Sequence, residues 1–71
     1  TMKLEEAQAL KVGDTVKCPK DRGDKGYDGV VTFVGETVQT HPSVPEPFIW
    51  VTVQKATTKH TWSSNRIEIL S

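Results

Sequence analysis

The segment Phe48-Ile49-Trp50-Val51-Thr52-Val53-Gln54 alternates in character at a period of two, with Ile49, Val51 and Val53 on one side and Phe48, Trp50, Thr52 and Gln54 on the other. Only an extended strand sends successive side chains to opposite faces, so this stretch predicts a strand with one buried side and one partly open side. The remaining residues agree. Nine Val, nine Thr and three Ile stand against three Ala and three Leu, an excess of β-branched side chains that favours sheet over helix. The expected class is all-β. A chain of 71 residues has room for one core, which excludes doubly wound nucleotide-binding folds and large barrel enzymes.

Helical character is confined to Met2–Leu10, where Glu5, Glu6, Ala7 and Gln8 are good helix formers and Leu4, Ala7 and Leu10 recur every third position. Residues 1–12 are therefore expected as an N-terminal helical extension and residues 13–71 as the β domain. A first short strand is expected at Thr15–Cys18, limited by Pro19. Residues 19–29, with three glycines and charges that cancel, read as a loop. Val30–Val34 reads as a strand buried on much of both faces, ending at Gly35, with Thr37–Gln39 extending it after a bend. His41–Pro47 holds Pro42, Pro45 and Pro47, so it is expected as an extended, semi-rigid loop. A hairpin at Lys55–Thr58, a return strand Lys59–Trp62, a tight turn at Ser63–Asn65 and a last strand Arg66–Leu70 complete the order. If Ala56 and Thr57 form the turn, Val51 faces Trp62 and both point inward, leaving Phe48 and Trp50 outside with Thr61; if the turn is one residue longer, Thr52 faces Trp62 and both tryptophans share the outer face. The core expected from this reading is Val16, Val31, Phe33, Ile49, Val51, Val53, Trp62, Ile67 and Ile69, with a net stability of roughly 3–5 kcal/mol.

Nine Lys and Arg balance nine Asp and Glu, so the molecule lacks the positive field that nonspecific duplex binding relies on. No apolar run is long enough to span a bilayer, and the start of the chain has no basic segment followed by a long apolar one. The single Cys18 forms no intramolecular disulfide, and with His41 and His60 it supplies too few ligands for a closed zinc site. A cytoplasmic protein without metal, cofactor or membrane partner is expected.

The closing segment Thr61-Trp62-Ser63-Ser64-Asn65-Arg66-Ile67-Glu68-Ile69-Leu70 resembles the ending of SH3 domains, in which an apolar residue precedes Pro-Ser-Asn-Tyr-Val. The opening, Gly13-Asp14-Thr15-Val16-Lys17 followed by Lys25-Gly26-Tyr27-Asp28-Gly29-Val30-Val31, resembles the KOW motif of ribosomal and transcription-elongation proteins. Together the resemblances imply a small five-stranded SH3-like barrel with a short N-terminal helix, with Trp62 and Ile67 in its core. Ser63 and Arg66 stand where SH3 domains have the Pro and Tyr of their polyproline groove, so that activity is not carried over. A small accessory protein of bacterial or phage type fits this size and architecture. The chain is also similar in length and in its Gly-Asp opening to the plasmid-borne dihydrofolate reductases built from four SH3-like chains around a pore. It has His60-Thr61-Trp62-Ser63 where they have the pore-lining Val-Gln-Ile-Tyr.

The leading expectation is a non-enzymatic module that engages a protein partner, or a second copy of itself, through Phe48, Trp50, Pro45 and Pro47. An exposed aromatic ring beside rigid prolines offers apolar area at low entropic cost. The runner-up is single-stranded nucleic acid or RNA binding through Trp50, Lys55, Lys59, His60 and Arg66, because rings stack on bases while cations neutralise phosphates. From Trp50 to Arg66 the chain carries these cations and no acid. A pore-type reductase comes third. Tyr27, Phe48, Trp50 and Trp62 also invite comparison with a methyl-lysine cage, but the expected register does not converge them. Cys18 reads as a small buried apolar residue.

Overall fold

The computed structural model describes residues 2–19 and 25–70. In chain order they form α1 (Leu4–Gln8), β1 (Thr15–Cys18), β2 (Tyr27–Val34), β3 (Gln39–His41), β4 (Val44–Phe48), β5 (Trp50–Lys55), β6 (Thr58–Ser63), a 3₁₀ turn (Ser64–Arg66) and β7 (Glu68–Ile69). The chain is mostly β with one short helix. Among the described residues the strands make a five-stranded antiparallel sheet, in the order β6-β5-β2-β1-β7, and a separate two-stranded sheet, β3-β4. The sheets do not close into a barrel, and the strand count exceeds the five expected.

A helix as short as α1 is marginal in water on its own, so its stability comes from packing. Met2, Ala7 and Leu10 supply that packing, all three buried in the same core as the sheet. Beyond it, Gly13 at φ 103° makes a turn that only glycine adopts freely. Its N–H donates to the Val31 carbonyl at 2.8 Å, and the Val31 N–H returns a bond to the Asp14 carbonyl at 2.8 Å. The turn thereby ties the end of the helical segment to the middle of β2.

The departures from the sequence reading have identifiable causes. Residues 20–24 of the expected 19–29 loop lie outside the described residues, but its last part is strand: β2 begins at Tyr27 and pairs Tyr27 with Cys18 and Gly29 with Val16. Gly29 is there because β2 crosses close over Val53; a Cβ on it would stand 3.2 Å from the Val53 Cβ. The Val30–Val34 stretch is not buried on both faces. A bulge between Val31 and Phe33 shifts the register on β5, pairing Val31 with Val53 and Phe33 with Thr52. The extra residue, Thr32, fastens its hydroxyl to the Thr52 carbonyl at 3.3 Å. Phe33, expected in the core, is turned out by that shift and is 58% exposed.

Most of the proline-rich segment is strand: Pro42 and Ser43 turn between β3 and β4, and Pro45 and Pro47 lie within β4. Val44 and Phe48 pair with His41 and Gln39, while Pro45 and Pro47 occupy the other parity and are not asked to donate to β3. Phe48 belongs to this second sheet and is buried, against the expectation that it would lie outside. The period of two breaks at Ile49, which falls between β4 and β5. Its N–H donates to Ser64 Oγ at 3.1 Å and its carbonyl accepts from the Ser64 N–H at 2.9 Å. Consecutive residues Phe48 and Ile49 are therefore both buried.

The β5–β6 hairpin follows the expected register, with Val51 opposite Trp62 and the turn at Ala56–Thr57. Val16, Cys18, Val31, Ile49, Val51, Val53, Trp62 and Ile67 form the core with the three residues of the helical segment. Ile69 was expected there but is 39% exposed, since β7 is a two-residue strand at the rim of the sheet.

Candidate functional site

The pleat sorts the candidate residues onto two faces of the large sheet. Opposite residues of an antiparallel pair share a face, so Val51 with Trp62 and Val53 with His60 define the inner side. Trp50 with Ser63, Thr52 with Thr61, Gln54 with Lys59, Val30 with Gln54 and Phe33 with Thr52 define the outer side. Three large apolar side chains stand open on that outer side: Trp50 and Val30 at 45% exposure and Phe33 at 58%. Around them are threonines, and the hydroxyls of Thr52 and Thr61 lie 3.3 Å apart.

Trp50 is held in place from two directions. Its ring meets that of Phe48 edge-on, with centroids 5.3 Å apart and an interplanar angle of 84°. Its carbonyl accepts the Gly35 N–H at 2.7 Å, an approach so close that a Cβ on residue 35 would lie 2.9 Å from that oxygen. Phe48 is thus a support beneath Trp50 and not a contact surface beside it. Pro45 and Pro47 are exposed, and Pro47 lines a cleft of about 320 Å³ with Lys3, Leu4, Glu5 and Glu46, alongside α1.

The cationic candidates assemble elsewhere. At the rim of the inner face, Lys55 Nζ lies 5.0 Å from the centre of the Tyr27 ring, and the Arg66 guanidinium lies 4.8 Å from the Trp62 ring. Tyr27 also meets His60 at 5.5 Å and Trp62 at 6.3 Å between centroids, and its hydroxyl accepts the Trp62 indole N–H at 2.8 Å. Lys55, His60 and Arg66 therefore belong to one cluster around Tyr27 and Trp62, while Lys59 projects from the outer side. The nucleic-acid set is divided by the pleat, with Trp50 on the far face from Lys55 and His60. Trp62 is buried and covered by Arg66, which leaves it no free face for a base. The four rings of the imagined cage form two separate pairs.

Cys18 lies opposite Tyr27, fully buried. Burial pushes its thiol above the ordinary range; the Tyr27 hydrogen bond opposes that rise and the nearby Asp28 charge adds to it. Beside it, Lys17, Cys18, Pro19, Arg66 and Glu68 line a cleft of about 210 Å³. Among the described residues no group of three His, Cys, Asp or Glu converges on a point, and no helix is long and apolar enough to cross a membrane.

Sequence reasoning missed Phe33 and Val30 as surface residues, since strict alternation through Val31 carries Phe33 inward. It also missed Tyr27 as the hub of the cationic cluster, because the glycines at positions 26 and 29 signalled a loop there. Compared with known proteins, the chain matches no family model, no curated protein and no solved structure.

Proposed function

We propose that this chain is a small, non-enzymatic binding module of SH3-like architecture that engages a protein partner in the cytoplasm through the outer face of its large sheet, centred on Trp50 and Phe33. The architecture is supported by the strand order, in which the last strand returns to lie beside the first, and by the 3₁₀ turn at Ser64–Arg66 where the SH3-like ending falls. One observation carries the functional reading: Trp50, Phe33 and Val30 are large, apolar and open on the same face of a sheet whose other face is a filled core. Neighbouring exposed apolar side chains of this kind mark interaction surfaces, and a rigidly supported tryptophan is a typical anchor of binding energy.

The test places a photo-crosslinking residue at position 61, on the outer side of β6 opposite Thr52, to identify the partner, which is then purified and titrated. Trp50→Ala and Phe33→Ser are each expected to weaken binding by tenfold or more, the loss of a hot-spot side chain. The reading is overturned if those variants bind normally. It is equally overturned if the chain instead binds single-stranded oligonucleotide with steep salt dependence and loses that binding on Lys55→Glu with Lys59→Glu.

A further inference from the structure

We propose that β6 is a strand-addition edge that accepts an extended, acidic segment of the protein partner. This names the conformation and charge of the ligand and rests on the binding-module reading above. β6 ends one side of the five-stranded sheet, and among the described residues no strand lies beyond it. It spans six residues, Thr58–Ser63, without proline or glycine, whereas the opposite edge, β7, is two residues long. In a hairpin with a two-residue turn the residues flanking the turn exchange backbone hydrogen bonds, and bonded and non-bonded pairs then alternate. Lys55–Thr58, Val53–His60 and Val51–Trp62 are therefore the bonded pairs, and Lys59, Thr61 and Ser63 direct their N–H and C=O groups outward. Such a row of outward donors and acceptors is the template on which an extended peptide adds as a further strand.

Charge selects the occupant. From Trp50 to Ile67 there is no Asp or Glu, while Lys55, Lys59, His60 and Arg66 all fall on β6 or beside it. Lys59 and His60 stand on the edge strand itself, one on each side of the pleat. Lys59 shares the outer side with Gln54, His60 shares the inner side with Val53, and Lys55 and Arg66 lie over the Tyr27 and Trp62 rings of the inner rim. A second copy pairing β6 against β6 would bring two such cationic sets together with no acid to offset them, and like charges across a pair destabilise it. An acidic strand meets Lys59 on the outer side and approaches Lys55 and Arg66 at the inner rim. Its outward side chains would also extend the surface on which Trp50 stands, because Trp50 pairs with Ser63 at one end of the edge.

The test titrates two terminally blocked peptides of roughly eight residues, a length that spans a typical strand, one alternating valine with glutamate and one valine with lysine. The valine–glutamate peptide is expected to bind, more weakly as salt rises, and to slow amide exchange at Lys59 and Thr61 by about tenfold or more. Lys55→Glu with Lys59→Glu is expected to reverse the preference to the valine–lysine peptide. Thr61→Pro removes an outward N–H that β5 does not use and is expected to abolish binding; the charge-reversal pair keeps the test valid should that variant unfold. Equal binding of both peptides, or binding without protection at Lys59 and Thr61, overturns the proposal. Protection of those amides by oligothymidylate and not by peptide overturns it too. A purified partner whose binding is lost in Trp50→Ala, yet which leaves Lys59 and Thr61 exchanging freely, supports the face and overturns the edge.

Discussion

Ser64 ties the break between β4 and β5 to the 3₁₀ turn. It is 1% exposed, and it satisfies both backbone groups of Ile49 where that residue has left β4 and not yet entered β5. Ser64→Ala leaves the Ile49 N–H buried without an acceptor, a loss of about 1–3 kcal/mol. In a domain of roughly 3–5 kcal/mol that is a large share of the total, and urea denaturation is expected to show a markedly lower midpoint. Cys18 gives a pH dependence. Its folded thiol is held neutral by burial, with its proton affinity raised above that of the unfolded chain. The stability this represents is complete below the ordinary thiol range and declines as pH rises through it, because only the unfolded thiol ionises readily. Denaturation midpoints are expected to fall from pH 8 upward in the native chain and to fall less in Cys18→Ala, with the folded thiol unreactive toward a disulfide reagent at neutral pH.

At the scale of elements, the β5–β6 hairpin combines a well-specified register with a poor turn residue. Ala56 has φ 53° while Thr57 is not in the left-handed region, the pattern of a turn that favours glycine at its first position. Ala56→Gly is expected to raise stability by about 1 kcal/mol, through relief of the Cβ–carbonyl crowding, readable as a higher melting temperature. The converse holds at Gly35, where a Cβ would meet the Trp50 carbonyl at 2.9 Å. Gly35→Ala is expected to cost about 1–3 kcal/mol and to alter the Trp50 emission, as backbone is pushed apart at the end of β2. These elements also show what the sequence could and could not convey. β1 and β5 were legible because apolar and polar residues alternate along them, whereas the 51–62 register was one of two that the short polar turn allowed, and the likeness of the closing segment to the SH3 ending favoured it. The bulge at Thr32 was not, since one extra residue leaves no compositional trace yet moves Phe33 from core to surface. The β4 strand was hidden because prolines exclude a strand only where their missing N–H is needed, and here it is not. Trp50 was legible as a half-exposed ring; its support by Phe48 and Gly35 depended on where the chain breaks alternation at Ile49.

Across the whole molecule, the radius of gyration is 11.4 Å, close to the roughly 11 Å of a compact domain this size. The open apolar side chains are thus features of a well-packed body and not signs of looseness. The pleat gives the molecule two surfaces of different chemistry: an outer face with Trp50, Phe33 and Val30, and a rim where Lys55 and Arg66 lie on the Tyr27 and Trp62 rings. The protein recognition proposed above rests on the first. The most direct test is tryptophan emission during titration with the purified partner and with single-stranded oligonucleotide, using Trp50→Phe as the control. The expected result is a blue shift with the partner, absent in Trp50→Phe, and no change with oligonucleotide. A salt-sensitive quench by oligonucleotide, with the partner leaving Trp50 unaffected, would contradict the account.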